Sequence, residues 1–253
     1  MKNPALELCV NPQEIAFLSI DNTKGFEDKS LNELYVQEGE QAAIETKKAI
    51  KLCQTYGISL INVFDQHSAG HILFAENYNN KKPFDAITYE EVRQRTPEQN
   101  GIGDRAAFTL KELQKYLSEV KQEILRPDHC IEFTPGVELM SPLKKSDFDF
   151  HIPKGTHPLN SGYSGFDKTT LDQILREQQK KILLISGVAT DYCIGQTALD
   201  AKDLGYQPYL IQEAIRGVAP DTTEEMLKDL NKRNIEVITI SELAEILSKN
   251  FNC

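Results

Sequence analysis

Residues 181–201 of the chain read KILLISGVATDYCIGQTALDA. The run that ends at Val188 is almost continuously apolar, which is typical of a strand buried on both faces of a parallel sheet. No periodic pattern covers the next four residues, and helical spacing begins at Cys193. A buried strand that leads within a few residues into a helix is the repeating unit of α/β proteins, so this stretch predicts that fold class.

Five further runs have the length and composition of strands. They are EIAFLSI (14–20), ISLINVF (58–64), FDFHIP (148–153), PYLIQ (208–212) and IEVITI (235–240). Amphipathic segments separate most of these runs, and the one that ends at Gly57 carries an apolar helical stripe. The alternation predicts a three-layer α/β/α fold of the Rossmann-like kind, with a central, mostly parallel six-stranded sheet.

We expect a single domain over residues 1–253, because a chain of this length can bury one large core. Residues 72–128 interrupt the rhythm of strands and helices and predict an inserted helical lobe or lid. Within it, residues 111–124 (KELQKYLSEVKQEI) have helical spacing. Near the C-terminus, a capping box at Thr222 and a cap at Ser241 predict where two more helices begin.

Composition excludes several classes of partner. The formal net charge of -10 comes from acidic residues spread along the chain, with no basic block that would predict a nucleic-acid partner. No apolar run approaches the roughly 18 residues that span a membrane, and the N-terminus is too short and polar for a secretory signal. We therefore predict a cytoplasmic protein with reduced thiols. Its irregularly spaced cysteines are Cys9, Cys53, Cys130, Cys193 and Cys253.

Polar side chains follow four of the predicted strands. Asp21 follows the first strand, Asp65 and His67 follow the second, Lys154 follows the third, and Cys193 lies shortly after the fourth. Because ligands in open parallel sheets bind beyond the carboxyl ends of the strands, we expect these side chains to share one rim.

The position of Cys193 favours a reactive thiol. The alternative is a small apolar residue under the first helical turn, which is the interpretation that suits Cys53. At the start of a helix, however, free N–H groups stabilise a thiolate, and Lys154 nearby would lower the thiol pKa further. We therefore favour a nucleophilic Cys193.

Four segments resemble known motifs. GVATDYCIGQTALDA (187–201) and KGTHPLNSGYSGF (154–166) resemble the nucleophile and lysine segments of the isochorismatase-like cysteine hydrolases. DQHSAGH (65–71) and RPDHCIEFTPGVEL (126–139) resemble the metal segments of the nicotinamidases within that superfamily. The resemblance runs from about residue 14 to residue 215, apart from the insertion, and the four motifs occur in the family's order.

The resemblance implies a catalytic trio of Asp21, Lys154 and Cys193. Asp21 would accept the thiol proton and later deliver it to leaving ammonia, and Lys154 would balance charge and orient both partners. Taken singly, Asp21 could cap a turn and Lys154 could be a solvated amine. Family members also carry a cis peptide before the residue that matches Ala189, so we expect a cis Val188–Ala189 bond with the Ala189 and Cys193 amides facing the substrate oxygen.

The resemblance also implies one divalent metal ion on Asp65, His67 and His129. Side chains two apart on an extended strand point the same way, so Asp65 and His67 can share an ion. Zn²⁺ is our first choice, with Fe²⁺ or Mn²⁺ as alternatives. His71 could be a fourth ligand, a residue that supports the ligands without binding the ion, or one member of a helical histidine pair with His67. Two further histidines are expected to be structural or exposed: His151 and His157.

Phe26 and Tyr163 match the family's pocket aromatics, which would pack against a flat ring, although Tyr163 could equally be a core residue. Three positions depart from the family pattern. Thr23 stands where glutamine is common, Gly25 where many members have aspartate, and Arg126 where an aromatic residue stacks on nicotinamide. The ring contact would then come from elsewhere, such as the 72–128 insertion.

Three functions stay open at this point. The resemblance favours a metal-assisted amidase that converts nicotinamide to nicotinic acid and ammonia through a Cys193 thioester, in NAD salvage. A metal-free relative acting on another small amide, such as a carbamoyl or ureido compound, is the second, and a catalytically silent scaffold that binds a small ligand is the third. The partner is a small carboxamide in the first case, and a homo-oligomer is compatible with all three.

Overall fold

In a computed structural model, residues 11–27 and 31–250 are described, and they form eight strands and seven α-helices. The strands are β1 (Ile15–Ile20), β2 (Ser59–Asp65), β3 (Ala86–Thr88), β4 (Gln122–Ile124), β5 (Phe150–Lys154), β6 (Ile182–Val188), β7 (Gln207–Arg216) and β8 (Glu236–Ile238). The helices are α1 (Gly39–Thr55), α2 (Tyr89–Val92), α3 (Leu110–Val120), α4 (Leu171–Glu177), α5 (Gly195–Asp203), α6 (Pro220–Lys232) and α7 (Ile240–Asn250).

Six strands form one sheet in the order β5-β2-β1-β6-β7-β8, and every neighbouring pair is parallel. All six residues of the central strand β1 are buried, as the unbroken apolar run predicts for a strand covered on both faces. Each of the six predicted sheet strands is present. The predicted α/β/α fold with a six-stranded parallel sheet is confirmed.

Two apolar cores lie on opposite faces of the sheet. On one face, α1 and α7 pack through residues such as Ile50 and Leu247. On the other, α4, α5 and α6 pack through residues such as Leu175, Ala198 and Leu230. Since both faces are covered, the rim at the carboxyl ends of the strands is where polar side chains can face a ligand.

Residues 72–128 contain a third apolar cluster, which includes Phe74, Leu113 and Leu117. The predicted helix at 111–124 is present as α3, but it begins at Leu110 and ends at Val120. Residues 122–124 instead form strand β4, which pairs antiparallel with β3. The apolar stripe of α3 is buried in this cluster, whereas Lys121 has a positive φ that ends the helix. A lid movement of this lobe stays a prediction.

Both predicted C-terminal helix starts were too late. α6 begins at Pro220, and the Thr222 hydroxyl donates to Asp191 rather than capping the helix. α7 begins at Ile240, where Thr239 and Glu242 form the reciprocal capping pair in place of Ser241. No helix in the described part of the chain combines the length and apolarity that crossing a membrane requires. Three cysteines there carry free thiols, Cys53, Cys130 and Cys193, whereas Cys9 and Cys253 lie outside the described residues.

Candidate active site

Three neighbouring strands deliver charged side chains to one point. Asp21 directly follows β1, Asp65 ends β2 and Lys154 ends β5, where it is the register partner of Asp65. The parallel arrangement sets all three at the carboxyl edge of the sheet, as the sequence predicts. All three side chains are buried, so their charges interact in a medium that screens them weakly.

Lys154 is the centre of this cluster. Its Nζ lies 2.8 Å from Asp21 Oδ2, 2.6 Å from Asp65 Oδ1 and 3.4 Å from Cys193 Sγ, and it also donates to the Gly162 carbonyl at 3.1 Å. Burial works against the ammonium charge of Lys154, which is only 1% exposed, but Asp21 and Asp65 raise its pKa well above the ordinary value. The amine is therefore charged and holds two carboxylates and a sulfur around one point.

Asp21 is held in a fixed orientation beneath the cavity. Its backbone has a positive φ of 51°, and its Oδ1 accepts a hydrogen bond of 2.8 Å from the Asp65 N–H. Burial, and then the charge of Asp65, raise the pKa of Asp21 to about 6, against the opposing effect of Lys154. A carboxylate with this pKa can both accept and return a proton near neutral pH.

Cys193 lies in the turn Thr190–Ile194 that leads into α5. Its sulfur and one oxygen each of Asp21 and Asp65 lie within 4.8 Å of one another. Burial raises the pKa of the Cys193 thiol well above its ordinary value, whereas Lys154 lowers it. Our sequence-based expectation of a lowered pKa had the Lys154 effect in the correct direction but took no account of burial, which is the larger influence. The resting thiol is protonated and has Asp21 beside it as a proton acceptor.

A second cluster shares Asp65. One ligand atom each of Asp65, His67 and His129 lies within 4.8 Å of the others, and all three residues are buried. His67 Nδ1–H donates to the Gly155 carbonyl and His129 Nδ1–H donates to the Pro127 carbonyl, each at 2.8 Å. These bonds leave the Nε2 lone pair of each ring facing Asp65, at 3.4 Å for His67 and 3.9 Å for His129.

The donors of this cluster fit a divalent cation. His67 Nε2 is buried and has no hydrogen-bond partner among the described residues, which is uncommon for a buried polar atom and expected of a metal ligand. Burial, together with His67, lowers the pKa of His129 to about 4, so the ring is neutral, as a ligand must be. Burial would raise the pKa of Asp65, but Lys154 and His67 hold it below its usual range.

His71 lies beside this cluster and is not one of the three. Its ring centroid is 4.5 Å from that of His67, and its Nδ1 accepts from the Leu73 N–H at 3.3 Å. That bond engages the Nδ1 lone pair, and the Nε2 atom, like that of His67, is buried without a hydrogen-bond partner among the described residues. His151 and His157 bond to nearby backbone groups, in agreement with a structural role.

A cavity of about 640 Å³, counting the space at its mouth, opens onto both clusters. The predicted contact residues Phe26, Tyr163 and Ala189 all line it, as do Cys193 and His129. The Val188–Ala189 peptide is cis, as the family resemblance implies. The sequence did not single out seven further lining residues: Leu34, Val36, Leu73, Phe84, Ser161, Tyr192 and Val218. Leu73 and Phe84 belong to the insertion, where we expected the missing ring contact.

A sequence model described as the isochorismatase domain matches residues 15–242. The chain belongs to the isochorismatase family. Membership confirms the resemblance inferred from the four motifs.

Within the isochorismatase family, the curated relatives that match the chain include nicotinamidases. The nicotinamidase of Schizosaccharomyces pombe is 33% identical over 166 residues, which are 62% of this chain and 70% of the relative. The nicotinamidase of Escherichia coli is 28% identical over 221 residues, or 84% and 89% of the two chains. Among solved structures, the pyrazinamidase of Pyrococcus horikoshii in complex with zinc superposes with a TM-score of 0.66 at 28% identity, covering 89% of this chain and 99% of that one.

One departure from the family pattern has a clear steric reason. A Cβ at Gly25 would lie 2.5 Å from Glu33 Oε2 and 2.6 Å from Cys130 Sγ, so the aspartate common in the family does not fit here. The Glu33 carboxylate occupies this space and accepts from the Cys130 N–H at 2.8 Å. Thr23 contacts the same sulfur, with Oγ1 at 3.4 Å.

Sequence reasoning missed a residue that positions the Cys193 turn of this isochorismatase-family protein. Asp191 accepts hydrogen bonds from the Val218 and Ala219 N–H groups at 2.9 and 3.2 Å, and from the Thr222 hydroxyl at 2.5 Å. These bonds tie the turn to the start of α6. The only sequence signal was an aspartate two residues before the thiol, and its partners lie 27 to 31 residues further along the chain.

Proposed function

We propose that this chain is a metal-assisted cysteine amidohydrolase that converts nicotinamide to nicotinic acid and ammonia through a Cys193 thioester. The family and its nicotinamidase relatives identify an amidohydrolase that acts on a carboxamide. One observation supports the thioester mechanism most directly. The buried Lys154 ammonium contacts Cys193 Sγ and the carboxylates of Asp21 and Asp65, and the candidate metal ligands lie beside it. A role in NAD salvage and a cytoplasmic location are part of the same proposal.

The buried cluster supplies the proton transfers. Asp21 accepts the Cys193 proton as the sulfur attacks the carboxamide carbon, and Lys154 stabilises the developing sulfur anion. When the C–N bond breaks, Asp21 returns that proton to the departing nitrogen, so that ammonia leaves and a thioester remains. Water then attacks the thioester carbon and gives its proton to Asp21. Cleavage of the C–S bond releases the acid, and the thiol regains its proton.

The backbone around Cys193 supplies the second element. We assign the Ala189 and Cys193 N–H groups to the carbonyl oxygen of the substrate, where negative charge develops during attack. Phe26 and Tyr163 would pack against the ring, because both line the same cavity as Ala189 and Cys193.

Asp65, His67 and His129 would hold the divalent ion. When bound, the ion supplies a Lewis-acidic point that holds the ring nitrogen and thereby orients the carboxamide toward Cys193. We propose Zn²⁺, because one carboxylate and two imidazoles suit it, although the same donors accept Fe²⁺ or Mn²⁺.

The metal assignment predicts the metal content of purified protein. The native protein should carry about one divalent ion per chain. His129→Asn should lower its affinity for added Zn²⁺ by at least about 100-fold, because loss of a residue that only hydrogen-bonds to a metal ligand already lowers metal affinity by 10- to 100-fold. Plasma mass spectrometry and a competing chelator measure both quantities. His151→Asn, which alters an exposed histidine bonded to the Lys145 carbonyl, is the matched control. Equal affinity in the two variants would refute the assigned ligand set.

Ammonia release tests the function directly. Native protein with its ion should release ammonia from nicotinamide and from pyrazinamide, and chelation should reduce the rate because the ring loses its orientation. Release from neither compound, with added metal, would contradict the nicotinamidase assignment. Release that does not respond to chelation would favour the metal-free alternative.

A further inference from the structure

Arg126 is a buried cation in the wall of the cavity. It follows β4, lines the cavity with Cys193 and is only 6% exposed. Its guanidinium carbon lies 4.7 Å from the centre of the Tyr192 ring, and its Nη2 donates to the Tyr163 hydroxyl at 3.5 Å. These two contacts fix the side chain against the wall, and within residues 11–27 and 31–250 its five donors have no directly paired carboxylate.

The other arginines show how unusual this is. The chain has seven arginines, and all lie among the residues that the structure describes. Six of them pair with a carboxylate, in the pairs Arg93–Glu90, Arg95–Glu91, Arg105–Asp128, Arg176–Asp172, Arg216–Glu38 and Arg233–Asp203. Over residues 11–27 and 31–250, no carboxylate oxygen lies within 4.0 Å of the Arg126 guanidinium nitrogens.

The nearest acidic group in the hydrogen-bond network does not neutralise Arg126 directly. Glu123 accepts from the Tyr116 hydroxyl at 2.5 Å, the Tyr163 hydroxyl at 3.2 Å and the Ile124 N–H at 3.1 Å. Its oxygens are therefore engaged by neutral donors, and Arg126 reaches it only through the Tyr163 hydroxyl. Burial raises the pKa of Glu123, whereas its hydrogen bonds and the charge of Arg126 lower it, so the two charges interact through this network without a direct ion pair.

A buried cation without a counter-ion is costly, so a ligand that supplies an anion gains from meeting it. The guanidinium fork matches a carboxylate in geometry and can bind it through two parallel hydrogen bonds. Since Arg126 and Cys193 line the same cavity, one small ligand can reach both. We propose that Arg126 is a specificity-determining residue that selects small carboxamides carrying a carboxylate in addition to the scissile amide.

This inference rests on the proposed amidohydrolase reaction and adds to it a preferred class of substrates, the carboxamides that also carry a carboxylate. The neutral ring of nicotinamide would leave the Arg126 charge unmatched. A carboxylate substituent that reaches the Arg126 wall of the cavity would meet this charge, while the amide carbon still faces Cys193. The same contact would exclude substrates with an ammonium substituent at that position.

The test compares nicotinamide with regioisomeric pyridine carboxamides that each carry one ring carboxylate. We measure kcat/KM for ammonia release and take the ratio of the best acid to nicotinamide. Arg126→Met keeps the length of the side chain but removes the charge, and it should lower that ratio by roughly 10- to 100-fold, the worth of a charged hydrogen bond. Arg126→Lys should retain part of the preference. Arg93→Met, which alters an exposed arginine on α2's C-terminal side, should leave the ratio as it is.

The two proposals can fail separately. An equal ratio in native protein and Arg126→Met would overturn the role of Arg126, while hydrolysis of nicotinamide would still support the proposed function. Hydrolysis of an acid alone would overturn the nicotinamide assignment and support Arg126. If no compound is hydrolysed, calorimetry on the Cys193→Ala protein tests the role of Arg126 through binding alone. An acid should bind this protein more tightly than nicotinamide does. That difference should disappear in the Arg126→Met, Cys193→Ala double variant, and its persistence there would overturn the proposal.

Discussion

Replacing Cys193 with alanine should lower kcat for ammonia release from nicotinamide by at least about 10³-fold, because loss of an attacking nucleophile in other hydrolases costs that much or more. The variant should still bind substrate, since the cavity walls and the Asp65, His67 and His129 cluster are unchanged. The kinetic loss should therefore appear in kcat, and the dissociation constant measured by calorimetry should change little.

Cys53→Ala is the matched control. Cys53 is likewise a buried cysteine, and burial raises its pKa to about 12, but it lies on α1 in the core and away from the cavity. Its substitution should cost some stability and leave kcat of the folded protein near the native value. Full activity in Cys193→Ala would refute the thioester mechanism. Mass spectrometry of native protein quenched during turnover offers an independent check, because the acyl group should be found on the peptide that contains Cys193.

The fold and the acidic and basic members of the site were predictable because they follow from one simple rule. Long apolar runs predict buried parallel strands, and the residue after each run must then lie at the sheet's carboxyl edge. Asp21, Asp65 and Lys154 obey that rule. In the structure, both carboxylates lie within 3 Å of the Lys154 ammonium. The cysteine follows by the same logic, since it comes soon after the fourth strand.

The remainder depends on burial and on contacts between distant segments, which a single sequence does not reveal. The raised pKa of the Cys193 thiol results mainly from its burial, which the local sequence does not disclose. Arg126 drew attention as a departure from the family pattern. Its surroundings, however, depend on where Tyr163 and Tyr192 lie, 37 and 66 residues further along the chain, and among the described residues no carboxylate pairs with it directly. Likewise, Gly25 is explained only by Glu33 and Cys130 meeting beside it.

Replacing Lys154 with methionine should lower both activity and stability. The substitution leaves Asp21 and Asp65 buried without their shared counter-ion, and removal of one partner from a buried ion pair costs about 3–5 kcal/mol of unfolding free energy. Ammonia release should fall as well, because the sulfur anion loses the ammonium 3.4 Å away. Urea denaturation at pH 8, with chelator present so that a bound ion adds no stability, measures the first effect.

The sign of the pH dependence follows from the same charges. Asp21 already has a pKa of about 6, above its ordinary value, and loss of Lys154 removes an influence that lowers it. An acid whose pKa is raised by folding costs the most stability at pH values above its native pKa. This penalty shrinks as the pH falls through the native pKa toward the ordinary value of 3.8, below which it is gone. The deficit of Lys154→Met should therefore be largest at pH 8 and should shrink toward pH 5.

A paired substitution separates uncompensated charge from simple loss of packing. Lys154→Met combined with Asp21→Asn removes one of the two stranded carboxylates, so it should recover part of the stability at pH 8 while ammonia release stays low. Lys181→Met, which breaks the exposed pair with Glu14, should cost less than about 1 kcal/mol. A Lys154→Met deficit that neither Asp21→Asn nor low pH reduces would mean that side-chain packing, and not charge, is what Lys154 supplies to the fold. That outcome would contradict the role of the Lys154 ammonium in holding Asp21, Asp65 and Cys193 in reactive positions.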